Sequence, residues 1–353
     1  MNTVYTILAF LIGFTLMVVV HEWGHYITGR IFNVKIDEFA IGMGPKIYSK
    51  KGKKVLFSLR CIPIGGFVKF TGDGESYGEQ GEANENDPDI LPNIKVWKRF
   101  IIYAAGAFMN VVLGFVLLVI LYLCIGTLSQ TPQIGKLMEN SPAERAGLAE
   151  NDIIIKIDGT DIIQDNFNSA NAQISAILNE GKTVVFTVNR NGDNVDVTVT
   201  PEYDEKDNRY RVGFYFSRGY VPTNLGRAIS DATTMSGQMM SLIYTSIGNM
   251  IFKGEGLDQM SGPLGVITVI SDATRESFIS VVSIFAALSL NLAVVNMLPF
   301  PALDGGKCLL LVIEGIRRKP IKKEVEGWIN LVGFAALMLL MVLLTVKDAI
   351  NIF

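Results

Sequence analysis

The chain is short of charge. Of its 353 residues only 18% are Asp, Glu, Lys or Arg, while 49% are apolar; an average globular chain carries about a quarter charged. A net charge of −3 and the lack of any long basic run give no sign of a nucleic-acid partner. Cysteine is scarce too. Cys61, Cys124 and Cys308 are scattered and odd in number, which excludes a disulfide framework and a paired-cysteine metal motif, and all three read as buried bystanders. Histidine is scarcer still, with two residues only. The first apolar stretch lacks the basic start and small-residue cleavage site of a signal peptide, so it reads as a span.

What the chain does have is apolar residues in four bunches, at residues 4–20, 100–125, 278–298 and 328–346. Each approaches or exceeds the roughly 20 residues that a helix needs to cross the hydrocarbon core. The fold class that follows is an α-helical polytopic membrane protein with about four transmembrane helices, in contact with the lipid bilayer. Orientation comes from the short-loop cations. Nine lysines and arginines between Arg30 and Lys69, with Lys95, Lys98 and Arg99 before the second span, mark one cytoplasmic loop. Arg317, Arg318, Lys319, Lys322 and Lys323 mark the other. The termini and the long middle region then lie outside, across the membrane from these loops.

Four regions follow: residues 1–126 and 277–353 as two halves of a membrane domain, 131–202 as a soluble module, and 203–276 as a linker. The linker holds an amphipathic helix at about 224–252. Residues 73–89 are acidic, Gly-rich and without a basic side chain, as in a mobile loop. Residues 57–70, FSLRCIPIGGFVKF, are β-prone and broken by Pro63, Gly65 and Gly66. They fit a surface hairpin or a membrane-dipping strand whose edge could pair with an extended substrate. In the module, Ser141-Pro142 starts a helix, Ile153 to Ile157 is a strand before the turn Asp158-Gly159, and two alternating runs flank the hairpin signal Asn191-Gly192. The run SPAERAGLAENDIIIKIDG resembles the core of bacterial PDZ domains, with Asn151 where glycine is commoner. That resemblance implies an inserted α+β PDZ domain that binds peptide ends.

The two histidines stand four apart in His21-Glu22-Trp23-Gly24-His25. On a helix both rings share a face and can reach one metal ion, while Glu22 lies close enough to hold a water and take its proton. Zinc in such a site lowers the pKa of a water towards about 7. Chance occurrence is the alternative. It fails on cost, because three ionisable groups at the end of an apolar span are expensive unless paired or liganded. Catalytic zinc usually takes three protein ligands, and no third histidine exists. Apart from Glu22, the carboxylate that directly follows an apolar span is Asp304, in NMLPFPALDGG, where Pro299 and Pro301 interrupt the helix. Irregular backbone at membrane depth is tolerated only where it is buried or lines a cavity. A helix-capping aspartate is the blander reading.

HExxH at the end of the first span and the N–PxPxLDG motif after the third resemble the site-2 protease family of intramembrane zinc metalloproteases, over nearly the whole chain. The PDZ-like insertion makes it similar to the bacterial branch. The resemblance implies Zn2+ held by His21, His25 and Asp304, with Glu22 as base. It also implies Asn291 and Asn296 as contacts for the substrate backbone or oxyanion, and Gly65, Gly66, Phe67 and Val68 as a clamp on unwound substrate. Implied substrates are transmembrane or signal-peptide proteins, such as anti-sigma factors or signal-peptide remnants. The SGPLG run at Ser261 to Gly265 is family-like without an evident chemical role. Lys307 and Ala107 depart from the family pattern, where histidine and proline are common. A non-proteolytic metal carrier or a PDZ scaffold would leave Glu22 or the whole HExxH unexplained.

Overall fold

The computed structural model describes residues 2–72, 87–129, 131–164, 166–205, 208–256 and 260–352. Most of the acidic stretch read as a mobile loop lies outside them. In chain order the elements are α1 (Asn2–Ile31), β1 (Ile36–Lys51), β2 (Leu56–Phe70), α2 (Val96–Ile125), β3 (Thr127–Leu128), β4 (Gln133–Leu137), α3 (Pro142–Ala146), β5 (Ile153–Ile157), β6 (Thr160–Asp161), α4 (Phe167–Leu178) and β7 (Val184–Arg190). They continue with β8 (Asp193–Val199), β9 (Glu202–Asp204), β10 (Arg209–Arg211), β11 (Phe214–Ser217), β12 (Tyr220–Val221), α5 (Leu225–Lys253), α6 (Pro263–Glu276), α7 (Phe278–Asn296), α8 (Asp304–Arg317) and α9 (Lys323–Ile352). Two compact units result. Met1–Leu121 joins Ser230–Phe353 in the first, and Tyr122–Ile229 forms the second.

Four helices of the described residues are long and apolar enough to cross a membrane: Val4–Ile31, Val96–Ile125, Phe278–Asn296 and Glu324–Asn351. The first outruns its apolar stretch. α1 does not stop near Val20 but carries His21 and His25 in its sixth and seventh turns, where those side chains are buried against α2 instead of facing lipid.

β1 and β2 form a sheet of their own. Glycines at positive φ, Gly42 and Gly44 at 84° and Gly65 at 88°, let the two long strands bend. Residues 38–41 therefore pair with 56–59 on one side and with 66–69 on the other, while 46–51 pair back onto 56–60. The 57–70 stretch is thus no self-contained hairpin. Its partner is 36–51, and among the described residues the 66–70 segment is paired on one side only. Buried Val34, Ile36, Phe39 and Phe70 join this sheet to Ile102 and Tyr103 of α2 and Leu311 of α8. Met17, Ile270 and Phe285 similarly pack α1, α6 and α7 together.

The SGPLG run turns out to be the start of α6. Gly262 is its N-cap and Pro263 its first residue, where a missing N–H costs nothing. The Gly265 N–H donates to Asp348 Oδ2 of α9 at 2.7 Å, and Lys347 Nζ donates to Met260 O at 3.0 Å. A Cβ at Gly262 would stand 2.8 Å from the Leu344 backbone, so glycine is what lets the two helices meet.

The second unit is built on a sheet of order β11-β4-β5-β7-β8, with β6 beside β5. Ile134, Ile154, Ile157, Phe186 and Val188 of the sheet bury against Ala170, Ile174 and Leu178 on one face of α4. Asn191 and Gly192 both take positive φ, 55° and 103°, as a two-residue hairpin demands. The unit is wider than residues 131–202. Its sheet ends in Phe214–Ser217, which pairs with Gln133–Leu137 from the far end of the module, and β3 pairs with β12 to close its base. Pairing over such sequence distance leaves no local pattern, so the stretch after 202 read as linker.

The cysteines need one correction. Cys308 is buried, but Cys61 and Cys124 are exposed, since each sits on an outward face of its strand or helix.

Candidate active site

Helices α1 and α2 cross at a pair of glycines. A Cβ on Gly24 would lie 2.3 Å from Ala105 O, and one on Gly106 would lie 2.3 Å from His25 Nε2. With both absent, the α2 backbone presses against the two imidazoles, which stand edge to face with centroids 4.8 Å apart. Both histidines are buried, at 8% and 7% exposure.

Asp304 arrives from elsewhere in the chain. α7 ends at Asn296, the prolines prevent its continuation, and α8 restarts at Asp304. Gly305 and Gly306 let this restart fold tightly on the loop; their Cβ atoms would lie 2.3 Å from Leu298 O and 2.1 Å from Phe300 O. A part-buried Arg99–Glu314 ion pair of 3.0 Å ties α8 to α2. Asp304 Oδ2 then stands 3.1 Å from His21 Nε2 and 3.4 Å from His25 Nε2, with the two ring nitrogens 3.2 Å apart.

These separations suit a tetrahedral ion. Zinc bonds of about 2.0–2.1 Å at tetrahedral angles put neighbouring ligand atoms about 3.3–3.4 Å apart. Hydrogen bonding makes the same point. His25 Nδ1 donates to Ile102 O at 2.8 Å; a carbonyl only accepts, so the proton is on Nδ1 and Nε2 keeps its lone pair facing the cluster. His21 Nδ1 lies 3.2 Å from the Asn110 amide nitrogen. Without a cation, His21 Nε2–H can donate to His25 Nε2, but Asp304 Oδ2 and Asn110 Oδ1 stay buried with no hydrogen-bond partner. Orphaned polar atoms cost about 1–3 kcal/mol each, more if charged. A divalent ion held by the three side chains would satisfy Asp304 Oδ2; with His21 Nε2 as a ligand, its Nδ1–H would face the Asn110 side chain, which could present Oδ1 as the acceptor. His21, His25 and Asp304 could therefore hold zinc.

Asn110 escaped the sequence reading as a functional residue. It is fully buried in α2, and its carbonyl accepts from Ser289 Oγ at 2.8 Å. Ile102, Gly106 and Asn110 are spaced by four, so one face of α2 supports both imidazoles. A lone amide within an apolar span was the available signal.

Glu22 is half-buried, beside the β-sheet: a Cβ on Gly66 would stand 3.3 Å from Glu22 Cγ. Gly65, Gly66, Phe67 and Val68 lie at the one-sided end of β2. Asn291 is exposed on α7 and Asn296 half-buried at its last residue. Lys307 stacks its ammonium over the Tyr103 ring at 4.8 Å.

Four apolar spans around a buried His–His–carboxylate cluster point to a membrane-embedded metalloprotease. Comparison with known proteins agrees. The profile of Peptidase family M50 matches residues 9–340. A zinc metalloprotease by name from Clostridium acetobutylicum is 34% identical over 349 residues, 98% of either chain. The regulator of sigma-W protease RasP of Bacillus subtilis is 30% identical over 426 aligned residues, and the zinc metalloprotease RasP of Bacillus licheniformis 30% over 429, each covering 99% of both chains. The chain belongs to peptidase family M50, the site-2 proteases. It is a multi-pass intramembrane zinc metalloprotease whose substrates are membrane proteins.

Proposed function

We propose that this protease cuts transmembrane segments or signal-peptide remnants, with His21, His25 and Asp304 as zinc ligands and Glu22 as general base. The observation that carries this reading is the set of three ligand atoms 3.1–3.4 Å apart, drawn from two distant segments, with His25 locked in the tautomer that aims its lone pair inward. When bound, zinc supplies a Lewis acid that polarises the scissile carbonyl and makes water acidic. Glu22 then takes the proton of the attacking water and hands it to the leaving amine.

A helical substrate hides its amides in its own hydrogen bonds. The open edge at residues 66–70 would hold it extended by strand pairing. Gly66, having no side chain, leaves room between such a strand and Glu22. Asn291 and Asn296 offer amides to the substrate backbone from α7. An exposed amide in an apolar span is costly against lipid, which suits a substrate-facing or watered path.

The second unit is read as a PDZ domain. Ser141 caps α3 by accepting from Glu144 N–H, and the Asn140 N–H donates to Glu144 Oε2 at 2.6 Å. Strand β11 is the end of the sheet path, with Phe216 against Phe167 of α4 at 6.5 Å and Arg218 over the same ring at 4.3 Å. A peptide end laid between β11 and α4 would gain a strand partner and an apolar wall. The termini and this domain are extracytoplasmic, and the site lies near the cytoplasmic boundary, on the strength of the basic loops. Regulated cleavage of anti-sigma factors is the favoured role, since the Bacillus subtilis relative is named a sigma-W regulator.

Glu22→Gln tests the mechanism. Purified variant and wild type are compared for bound zinc and for cleavage of a transmembrane peptide, and membrane peptides that accumulate in a Glu22→Gln strain are identified. Cleavage should fall at least a hundredfold with zinc retained; a variant that still cleaves at the wild-type rate sinks the role of Glu22.

A further inference from the structure

At the end of the first span, three cations converge on one concavity. Arg30 from α1 and Lys53 and Lys54 from the turn between β1 and β2 line a cavity of about 220 Å3, walled by the rings of Tyr26 and Phe57. The rings stand 5.9 Å apart, and the turn is closed by Gly52 N–H donating to Val55 O at 2.9 Å.

Four nearby cations are treated differently. Lys35 pairs with Asp87, Lys46 and Arg60 share Glu38, and Arg99 pairs with Glu314. Among the described residues, none of Arg30, Lys53 and Lys54 has a carboxylate in ion-pair range. A topological preference for basic residues at one membrane face explains their number. It does not explain why these three share a cavity with two aromatic walls.

Location and size narrow the ligand. The cavity begins one residue past His25 at Tyr26 and ends where the span Val4–Ile31 ends. Exposed Trp23 lies on the same helix, α1, two turns before Arg30, as interfacial aromatics do. Small-molecule sites usually measure roughly 300–1,000 Å3, so this cavity suits one compact anionic group. Three unpaired cations match a phosphate, which Arg can grip by two parallel hydrogen bonds.

We propose that Arg30, Lys53 and Lys54 bind the phosphate of an anionic phospholipid headgroup from the adjoining leaflet, a site separate from the His–His–Asp cluster. Lipid, not a soluble phosphate, is the expected source because Arg30 stands at the end of the apolar span Val4–Ile31, and strand β1, which leads into the turn, carries the exposed apolar side chains Ile47 and Tyr48.

The test uses the full chain in detergent, titrated with phosphatidylglycerol or phosphatidylcholine and read by native mass spectrometry. Inorganic phosphate and glycerol 3-phosphate serve as competitors. Lys53→Gln/Lys54→Gln is compared with the control Lys50→Gln/Lys51→Gln, which removes equal charge from exposed positions outside the cavity. Retained zinc and an unchanged thermal midpoint establish that each variant is folded. Wild type should prefer phosphatidylglycerol, and Lys53→Gln/Lys54→Gln should weaken that preference about fivefold per cation removed, with the control unchanged. Equal weakening in both variants would reduce the site to diffuse surface charge and overturn the proposal. So would displacement of the lipid by inorganic phosphate at equal concentration, which would make the ligand a soluble phosphate.

Discussion

Gly106 offers a demanding check on the cluster. Replacing it by alanine adds one carbon atom, and its place is fixed by the backbone: 2.3 Å from His25 Nε2, 2.6 Å from His25 Cε1 and 2.7 Å from His21 Cε1. Ordinary contact begins near 3.4 Å, so the methyl intrudes on the nitrogen by about 1 Å. The rings cannot retreat freely. His25 is tied to Ile102 O on the far side of its ring, and the carboxylate stands 3.1–3.4 Å from both imidazoles. Metal sites tolerate displacements of about 0.2 Å from ideal bond lengths. Gly106→Ala should therefore weaken zinc by at least the 10–100-fold typical of losing a supporting contact. Competition with a chromophoric chelator measures this directly, alongside zinc content and thermal midpoint. Gly248→Ala in α5 is the matched control, because its Cβ would meet nothing within 4 Å. If Gly106→Ala held zinc as tightly as wild type, the packing of α2 onto the two rings would be wrong, and the cluster with it.

Asn110→Ala should cost about 10–100-fold in zinc affinity; Asn110→Asp, which can still accept from His21 Nδ1–H, should recover part of it in the same chelator assay. Removing Glu314 leaves Arg99 part-buried and alone, which should cost about 3–5 kcal/mol in thermal or denaturant unfolding, and the exchanged pair Arg99→Glu/Glu314→Arg should regain some of that loss. Burial raises the Glu38 carboxyl, but hydrogen bonds from Ser58 and Arg60 and the charges of Arg60 and Lys46 outweigh it and hold Glu38 below its ordinary 4.5. Its contribution is thus complete above that value and lost as pH falls through the lower folded value, so wild type should lose more stability than Glu38→Gln on acidification below about pH 4.5.

Much of the site was readable because it is local. HEWGH on a helix puts both rings on one side by geometry alone, and the double proline before Asp304 announces a break at membrane depth. The span count, the alternating strands and the Asn191-Gly192 turn were equally local. Residues 224–252 were read as a helix, and α5 runs Leu225–Lys253. The pieces that escaped depend on partners far away in sequence. Asn110 and Gly106 look like ordinary residues of an apolar span until α1 is laid against them. Asp348 acquires a role only when α6 begins beside it, and strand β11 only when β4 offers it an edge.

The sequence by itself determined which residues could bind a metal and which stretches belong in lipid, because ligand chemistry and hydrophobicity are properties of side chains and short periods. Tertiary structure alone decided that α2 is the helix bracing the imidazoles, that Gly66 of β2 lies against Glu22, and that three unpaired cations share one cavity. The physical reason is that these depend on how close two backbones can come. Closeness was set here by missing Cβ atoms at Gly24, Gly66, Gly106 and Gly262, whose consequences appear only once the opposing chain is in place.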